Sequence, residues 1–308
     1  MPDIISASNV SKHYRKGLRR HIFNALEDVS FSAAAGESIG FIGHNGAGKS
    51  TMIRIIMGLQ TPTSGSVLLQ GMDPRVPESR RGVAYVPENP LLYDHLSPNE
   101  LIRLTTLSHG ISPNETAART RKWLERLNLA EVADKRVRQF SKGMVQRTTL
   151  AMALAVEPRF LILDEPLSGL DPTGRREVVE ILSEYRRNGG GMLFSSHVLT
   201  DVEVLADRFL FIHKGRIRVT GTPGTLLQGH EDSYEVIIEA TDEPPPGFSQ
   251  LYGLQYKLEL DANALEMKLS ELRNKNGVRL INIRSRNTLE SAYFRFVAEA
   301  ERSDARPS

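Results

Sequence analysis

Short apolar runs alternate along the first two thirds of the chain with stretches whose apolar positions recur at helical spacing. Ser38–Ile42 predicts a buried strand that ends in a glycine-rich turn, and 51–59 carries Met52, Ile53, Ile56 and Met57 on one helix face. Residues 67–69 and Val83–Val86 predict further short strands. The string Ser-Pro-Asn-Glu occurs at 97–100 and again at 112–115. Each copy predicts serine at the N-cap, proline at the first helical position and glutamate at the third, a capping box that starts helices over 98–109 and 113–128. A helix over 143–156 follows Ser141. Phe160–Leu163 is a four-residue apolar run ending in Asp-Glu, as expected of a central parallel strand. Asp171 and Pro172 cap the next helix, which closes at the glycines 189–191; 192–195 is a strand, and 209–212 with 216–219 reads as a hairpin around Lys214 and Gly215. Strands alternating with helices predict an α/β core with a mostly parallel sheet.

The character changes after Gly229. Residues 241–247 are a stiff, polar, proline-rich connection. Residues 256–260 alternate like a strand, Leu265, Leu269 and Leu272 sit at helical spacing, 278–283 is strand-like and 289–300 helix-like. The expected division is a first domain over 1–230 and a small α+β appendage over 231–308, with residues 302–308 frayed and no catalytic constellation in the appendage.

Composition narrows the chemistry. The chain has 308 residues, 40% apolar and 25% charged, with a net charge of +2. That balance suits a globular protein and argues against a strong polyanion binder, so no nucleic-acid partner is expected. There is no cysteine, which excludes thiol catalysis, disulfides and cysteine-ligated metals. No run approaches the roughly 18 apolar residues of a spanning helix, and the first ten residues lack the apolar segment of a signal peptide. The expectation is a cytoplasmic protein that reaches a membrane only through another chain. The basic cluster Lys12, Arg15, Lys16, Arg19 and Arg20 reads as a solvated loop between two N-terminal strands, with lipid head groups as the alternative contact.

The string Gly43-His44-Asn45-Gly46-Ala47-Gly48-Lys49-Ser50 fits the phosphate-loop pattern, between a strand and a helix as the pattern requires. Glycines let backbone N–H groups turn inward around phosphate oxygens, and the helix start adds a positive dipole end. Lys49 is placed to reach terminal phosphates, and Ser50 offers a hydroxyl to magnesium. Asp164, at the end of a buried strand, is a second candidate for magnesium. Glu165 is the candidate acceptor of a proton from an attacking water.

These residues and their neighbours resemble the ABC ATPases. Ser141-Lys-Gly143-Met144-Val-Gln-Arg147 is similar to that family's signature segment, 168–171 to its D-loop, His197 to its switch histidine and Tyr14 to the aromatic that stacks on adenine. The resemblance covers about 4–221. It implies a P-loop, RecA-like ABC ATPase core with a helical subdomain over about 95–157, and a site that binds ATP and Mg2+. The implied catalytic residues are Glu165, His197 and Lys49. The nucleotide contacts are Tyr14, 43–51 including Thr51, Ser141, Gly143, Met144 and Asp171; the metal contacts are Ser50, Glu88 and Asp164. It further implies a head-to-tail homodimer, or a heterodimer with a related ATPase. A helix start at Ser141 makes sense as a second anion site if the phosphate comes from a partner subunit.

Two positions depart from the family pattern. Glu88 stands where glutamine is usual, and Lys142 where glycine is common, as a phosphate contact or a solvated bystander. Both resemble the ABC-2 and drug-resistance exporter branch. The expected function is therefore ATP hydrolysis driving a separate transmembrane permease, with the subunit on the inner face of the cell membrane. The alternative is a soluble ABC ATPase acting on a non-transport partner. Permease docking is expected around 88–101, with Leu91, Leu92, Tyr93 and Leu96 as the apolar candidates.

Overall fold

Three short segments have no polar face at all, and they set the centre of the fold. β3 (Ser38–Ile42), β6 (Phe160–Leu163) and β7 (Gly191–Ser196) are buried along their whole length, as strands covered on both faces must be. They belong to a six-stranded sheet whose order adds β5 (Val83–Val86), β8 (Arg208–His213) and β9 (Arg216–Gly221): β5-β6-β7-β3-β8-β9. All pairs are parallel except β8 with β9, the predicted hairpin. The computed structural model describes residues 3–16, 21–222, 224, 233–273 and 275–285.

A second, antiparallel sheet comprises β1 (Asp3–Lys16), β2 (His21–Ala34) and β4 (Ser64–Leu69), in the order β2-β1-β4. α1 (Lys49–Ile56) shares one apolar core with both sheets. Its Met52, Ile53 and Ile56 cluster with Ile5, Leu26 and Leu69 on one side and Phe41, Phe160 and Leu193 on the other. This burial fixes the helix that follows the phosphate loop far more firmly than eight residues could hold themselves.

α2 (Pro98–Ser108), α3 (Pro113–Arg126) and α4 (Lys142–Ala155) form the helical region. The capping box at Ser97 is complete: its Oγ accepts from the Glu100 N–H, and Glu100 accepts from the Ser97 N–H at 2.8 Å. The second expected box is only half made. Ser112 caps Glu115, but the Glu115 carboxylate takes Arg119 one turn on, where an ion pair outcompetes the backbone donor. α5 (Pro172–Arg187) starts at the expected Asp171 cap, and α6 (Leu199–Leu205) follows β7.

The chain divides into two compact units, Met1–Pro223 and Gly224–Ser308. The second has a four-stranded antiparallel sheet, β11-β12-β10-β13. Its strands are β10 (Ser233–Ala240), β11 (Ser249–Tyr252), β12 (Gln255–Asp261) and β13 (Val278–Ser285), joined by α7 (Ala262–Arg273). Val236, Ile238 and Leu272 form its core, packed by Leu265 and Leu269. The proline-rich stretch 241–247 links β10 to β11. β10 was not expected from the sequence: Val236, Ile237 and Ile238 run together because the strand is central, between β12 and β13. The expected helix over 289–300 and the frayed end 302–308 lie outside the described residues.

Candidate functional site

The parallel strands deliver their chemistry to one edge. The carboxyl ends of β5, β6, β7 and β3 lead respectively to Glu88, Asp164 with Glu165, His197 and the phosphate loop, the place where open α/β sheets bind ligands. The loop fits its backbone closely. A Cβ on Gly43 would lie 2.5 Å from the Ile212 carbonyl, and Gly48 combines φ +117° with a Cβ position 2.6 Å from the Ala25 carbonyl. Glycine is the residue that meets both demands.

Lys49 is 5% exposed. Its Nζ donates to the Gly43 carbonyl at 2.5 Å and lies 3.3 Å from Glu165 Oε1. That oxygen has no aligned hydrogen-bond donor, so the contact is ionic rather than a directed bond. Glu165 Oε2 instead accepts from His197 Nδ1 at 2.8 Å, which requires the tautomer or charged form with a proton on Nδ1. Ser50 Oγ donates to Asp164 Oδ1 at 3.0 Å. A hydroxyl and a carboxylate are hard oxygen ligands of the kind magnesium takes beside substrate phosphates. A cavity of about 370 Å3 opens over the loop, lined by 44–51, Glu88 and Glu165 together with Phe23 and Ala25. Behind Asp164, burial and then the aspartate's charge push the Tyr85 phenol up to about 12, so the ring stays neutral there.

Ser195 joins this set without having been singled out in the sequence. It is fully buried on β7. Its Oγ donates to Asp164 Oδ1 at 2.7 Å and accepts from the Glu165 N–H at 2.8 Å. Glu165 itself has φ +50°, a strained value for a non-glycine residue. The serine bond holds the backbone there. The sequence signal was the string Ser-Ser-His, of which only the histidine carried a recognisable role.

Tyr14 is not on the wall of this cavity. Its hydroxyl donates to Gln60 Oε1 at 2.6 Å, and Phe23, its partner across the β1–β2 ladder, lines the cavity while 53% exposed. Lys12 of the basic cluster donates to the Thr61 carbonyl at 2.7 Å; Arg19 and Arg20 lie outside the described residues.

Ser141, Gly143, Met144 and Asp171 are also apart from this cavity. Ser141 caps α4 by accepting from the Met144 N–H. Lys142 is exposed, as a solvated side chain would be, and its Nζ donates to Ser168 Oγ at 3.2 Å. Arg147 reaches Asp171 at 3.2 Å and Gln146 the Pro166 carbonyl at 3.1 Å. The start of α4 is thus tied to the segment that follows Glu165. In the region 88–101, Leu91 is 99% and Tyr93 63% exposed, whereas Leu92 and Leu96 are half-buried.

A family model described as ABC transporter matches residues 26–168. The chain is 38% identical over 213 residues to YxlF of Bacillus subtilis (strain 168), an uncharacterized ABC transporter ATP-binding protein, spanning 69% of this chain and 70% of that one. It is 35% identical over 224 residues to EcsA of the same organism, an ABC-type transporter ATP-binding protein, spanning 71% and 91%. To the lantibiotic transport ATP-binding protein SrtF of Streptococcus pyogenes it is 36% identical over 214 residues, spanning 70% and 89%. A solved ATP-binding subunit of an ABC transporter superposes with a TM-score of 0.65 at 35% identity, covering 72% of this chain and 91% of that one. A dimeric bacterial ABC transporter cassette does so at 0.65 and 25%, covering 71% and 98%.

Proposed function

The chain belongs to the ABC transporter family as an ATP-binding protein with ATPase activity, and from that premise we propose that it is the motor of an exporter whose permease is a separate chain. The observation that carries the hydrolytic part is the convergence on Glu165. One of its oxygens faces Lys49 and the other takes His197 Nδ1. Its backbone is held by Ser195.

ATP phosphates occupy the loop 43–50, received by inward N–H groups and the start of α1. Lys49 turns from the Gly43 carbonyl to the terminal phosphates. That frees Glu165 Oε1 to accept a proton from water, while His197 keeps the carboxylate oriented through the other oxygen. Ser50 and Asp164 are the residues that would hold magnesium, with Glu88 on the same wall; when bound, the ion neutralises phosphate charge. Phe23 offers an aromatic face on that cavity, a role first expected of Tyr14.

Ser141, Gly143, Met144 and Asp171 lie apart from the chain's own phosphate cavity, which favours their acting on a second subunit's nucleotide. The ties from Lys142, Gln146 and Arg147 to 166–171 let that second contact be felt at Glu165 in the same chain. Among the described residues no helix is long and apolar enough to cross a membrane. Attachment to the inner face of the membrane is proposed to come through a permease seated on Leu91 and Tyr93. The export direction rests on Glu88 and Lys142. Replacing Leu91 and Tyr93 with glutamate tests the docking. The expected result is release from permease-containing membranes with phosphate release in solution unchanged. Membrane binding of the native chain in cells lacking the permease overturns it.

A further inference from the structure

A large concavity of the first unit lies where the chain enters β3, β6 and β7, at the opposite edge of the sheet from the phosphate loop. It is about 1030 Å3, at the upper end of the range for small-molecule sites, about 300–1,000 Å3. It opens between α3 of the helical region and α5 of the core. Trp123, Leu154, Pro158, Ile181 and Tyr185 give it an apolar body. Burial pushes the Tyr185 phenol upward, and its hydroxyl is engaged with the Pro158 and Gly191 carbonyls. Tyr185 therefore adds no charge.

The charged residues around this body do not cancel. Three carboxylates line it, and each has its own arginine: Glu37 with Arg208 at 2.8 Å, Glu157 with Arg119 at 2.8 Å, and Glu184 with Arg126. Two further cations of the wall, Lys122 and Arg159, make no close ion pair among the described residues, Lys122 adding only a longer-range attraction to Glu184, which Arg126 already holds. Lys122 Nζ lies 5.3 Å from the centre of the Trp123 ring. Trp123 is 7% exposed, and its indole N–H is buried without an acceptor. An aromatic and aliphatic floor, spare positive charge at the rim and a donor lacking a partner describe one class of ligand.

We infer that this cavity is a second binding site, for a small amphipathic anion with a flat apolar body and a carboxylate, sulfonate or similar head. The body lies against Trp123 and Ile181, and the head meets Lys122 and Arg159. Such a ligand bridges α3 and α5, so it restrains the helical region relative to the core without touching a phosphate-binding residue. The inference stands independently of the function proposed above.

Trp123 is the only tryptophan of the chain, so its emission reports the site. The probe is 8-anilinonaphthalene-1-sulfonate, titrated into the full chain with and without saturating ATP-Mg. Saturable 1:1 binding is expected, with protection of Trp123 from acrylamide quenching and no competition by ATP. The double variant Lys122→Glu, Arg159→Glu changes exposed side chains only and should weaken the probe by about tenfold or more, roughly 1.4 kcal/mol, with ATP binding retained. Should that variant fail to fold, Lys122→Gln and Arg159→Gln singly must each weaken binding. Asn188→Phe, at the mouth, should block it sterically. Displacement by ATP-Mg, an unchanged affinity in the charge variants, or no protection of Trp123 overturns the proposal.

Discussion

His197 Nδ1 donates to Glu165 Oε2 at 2.8 Å, and this bond joins the ends of two neighbouring strands, β7 and β6. The other oxygen of Glu165 faces Lys49 across 3.3 Å. A carboxylate held on both sides is oriented before any water arrives, and orientation is a large part of what a general base needs.

Glu165→Gln keeps the shape and removes the proton acceptor. Phosphate release should fall by about 10²–10⁴-fold, with ATP binding retained. The variant should elute as a dimer on size exclusion in ATP-Mg, because the nucleotide persists. Turnover at the native rate would falsify the assignment.

Ser195→Ala strips Asp164 of one donor and leaves the buried Glu165 N–H unpaired. Stability should drop by about 1–3 kcal/mol, measured by denaturant unfolding. The turnover number should fall more than ATP affinity, since the loop 43–50 is untouched. Ser195→Thr keeps the hydroxyl and should restore most of the rate; a Thr variant as slow as Ala argues for packing rather than positioning.

Phe23→Ala and Tyr14→Ala separate the two aromatic candidates. Loss of a stacked ring is worth about 1–3 kcal/mol per base. Phe23→Ala should therefore weaken a fluorescent ATP analogue by about tenfold, and Tyr14→Ala by less, because Tyr14 is engaged with Gln60. The reverse order would return the adenine to Tyr14.

Glu37 sets a pH dependence. Burial pushes its carboxyl up, but Arg208 at 2.8 Å and the Ala34 N–H at 2.9 Å outweigh this and hold it below the ordinary 4.5. A group whose pKa is depressed by folding stabilises above its unfolded value, and that stability is lost as pH falls through the folded one. Native protein should lose stability below pH 4.5. Glu37→Gln should be less stable at pH 7 and show a shallower decline in that acid range, read from melting curves at successive pH values.

Much of the core was legible because its signals are local. A fully apolar run such as Phe160–Leu163 has one stable environment, a strand covered on both faces. Gly43–Ser50 states its backbone demands in its own residues, and Ser97 with Asp171 announces two helix starts at the positions observed. β10 was missed for the converse reason: its apolar residues do not alternate, and what makes it a strand is pairing on both edges.

The sequence by itself determined the phosphate loop, the strand-end carboxylates and the order of the elements that carry them, since each depends on residues adjacent in the chain. Tertiary structure alone decided what Glu165 touches. Lys49 follows β3, and Ser195 and His197 sit together at the end of β7; they are 116, 30 and 32 positions away, and sheet order rather than sequence spacing makes them neighbours of Glu165. It also decided that Glu115 would serve Arg119 instead of its cap and that Phe23 rather than Tyr14 would line the cavity. It paired the carboxylates around Trp123 and left Lys122 and Arg159 over. Local patterns fix which groups are available. The competition among donors for each acceptor is settled only when distant segments meet in three dimensions.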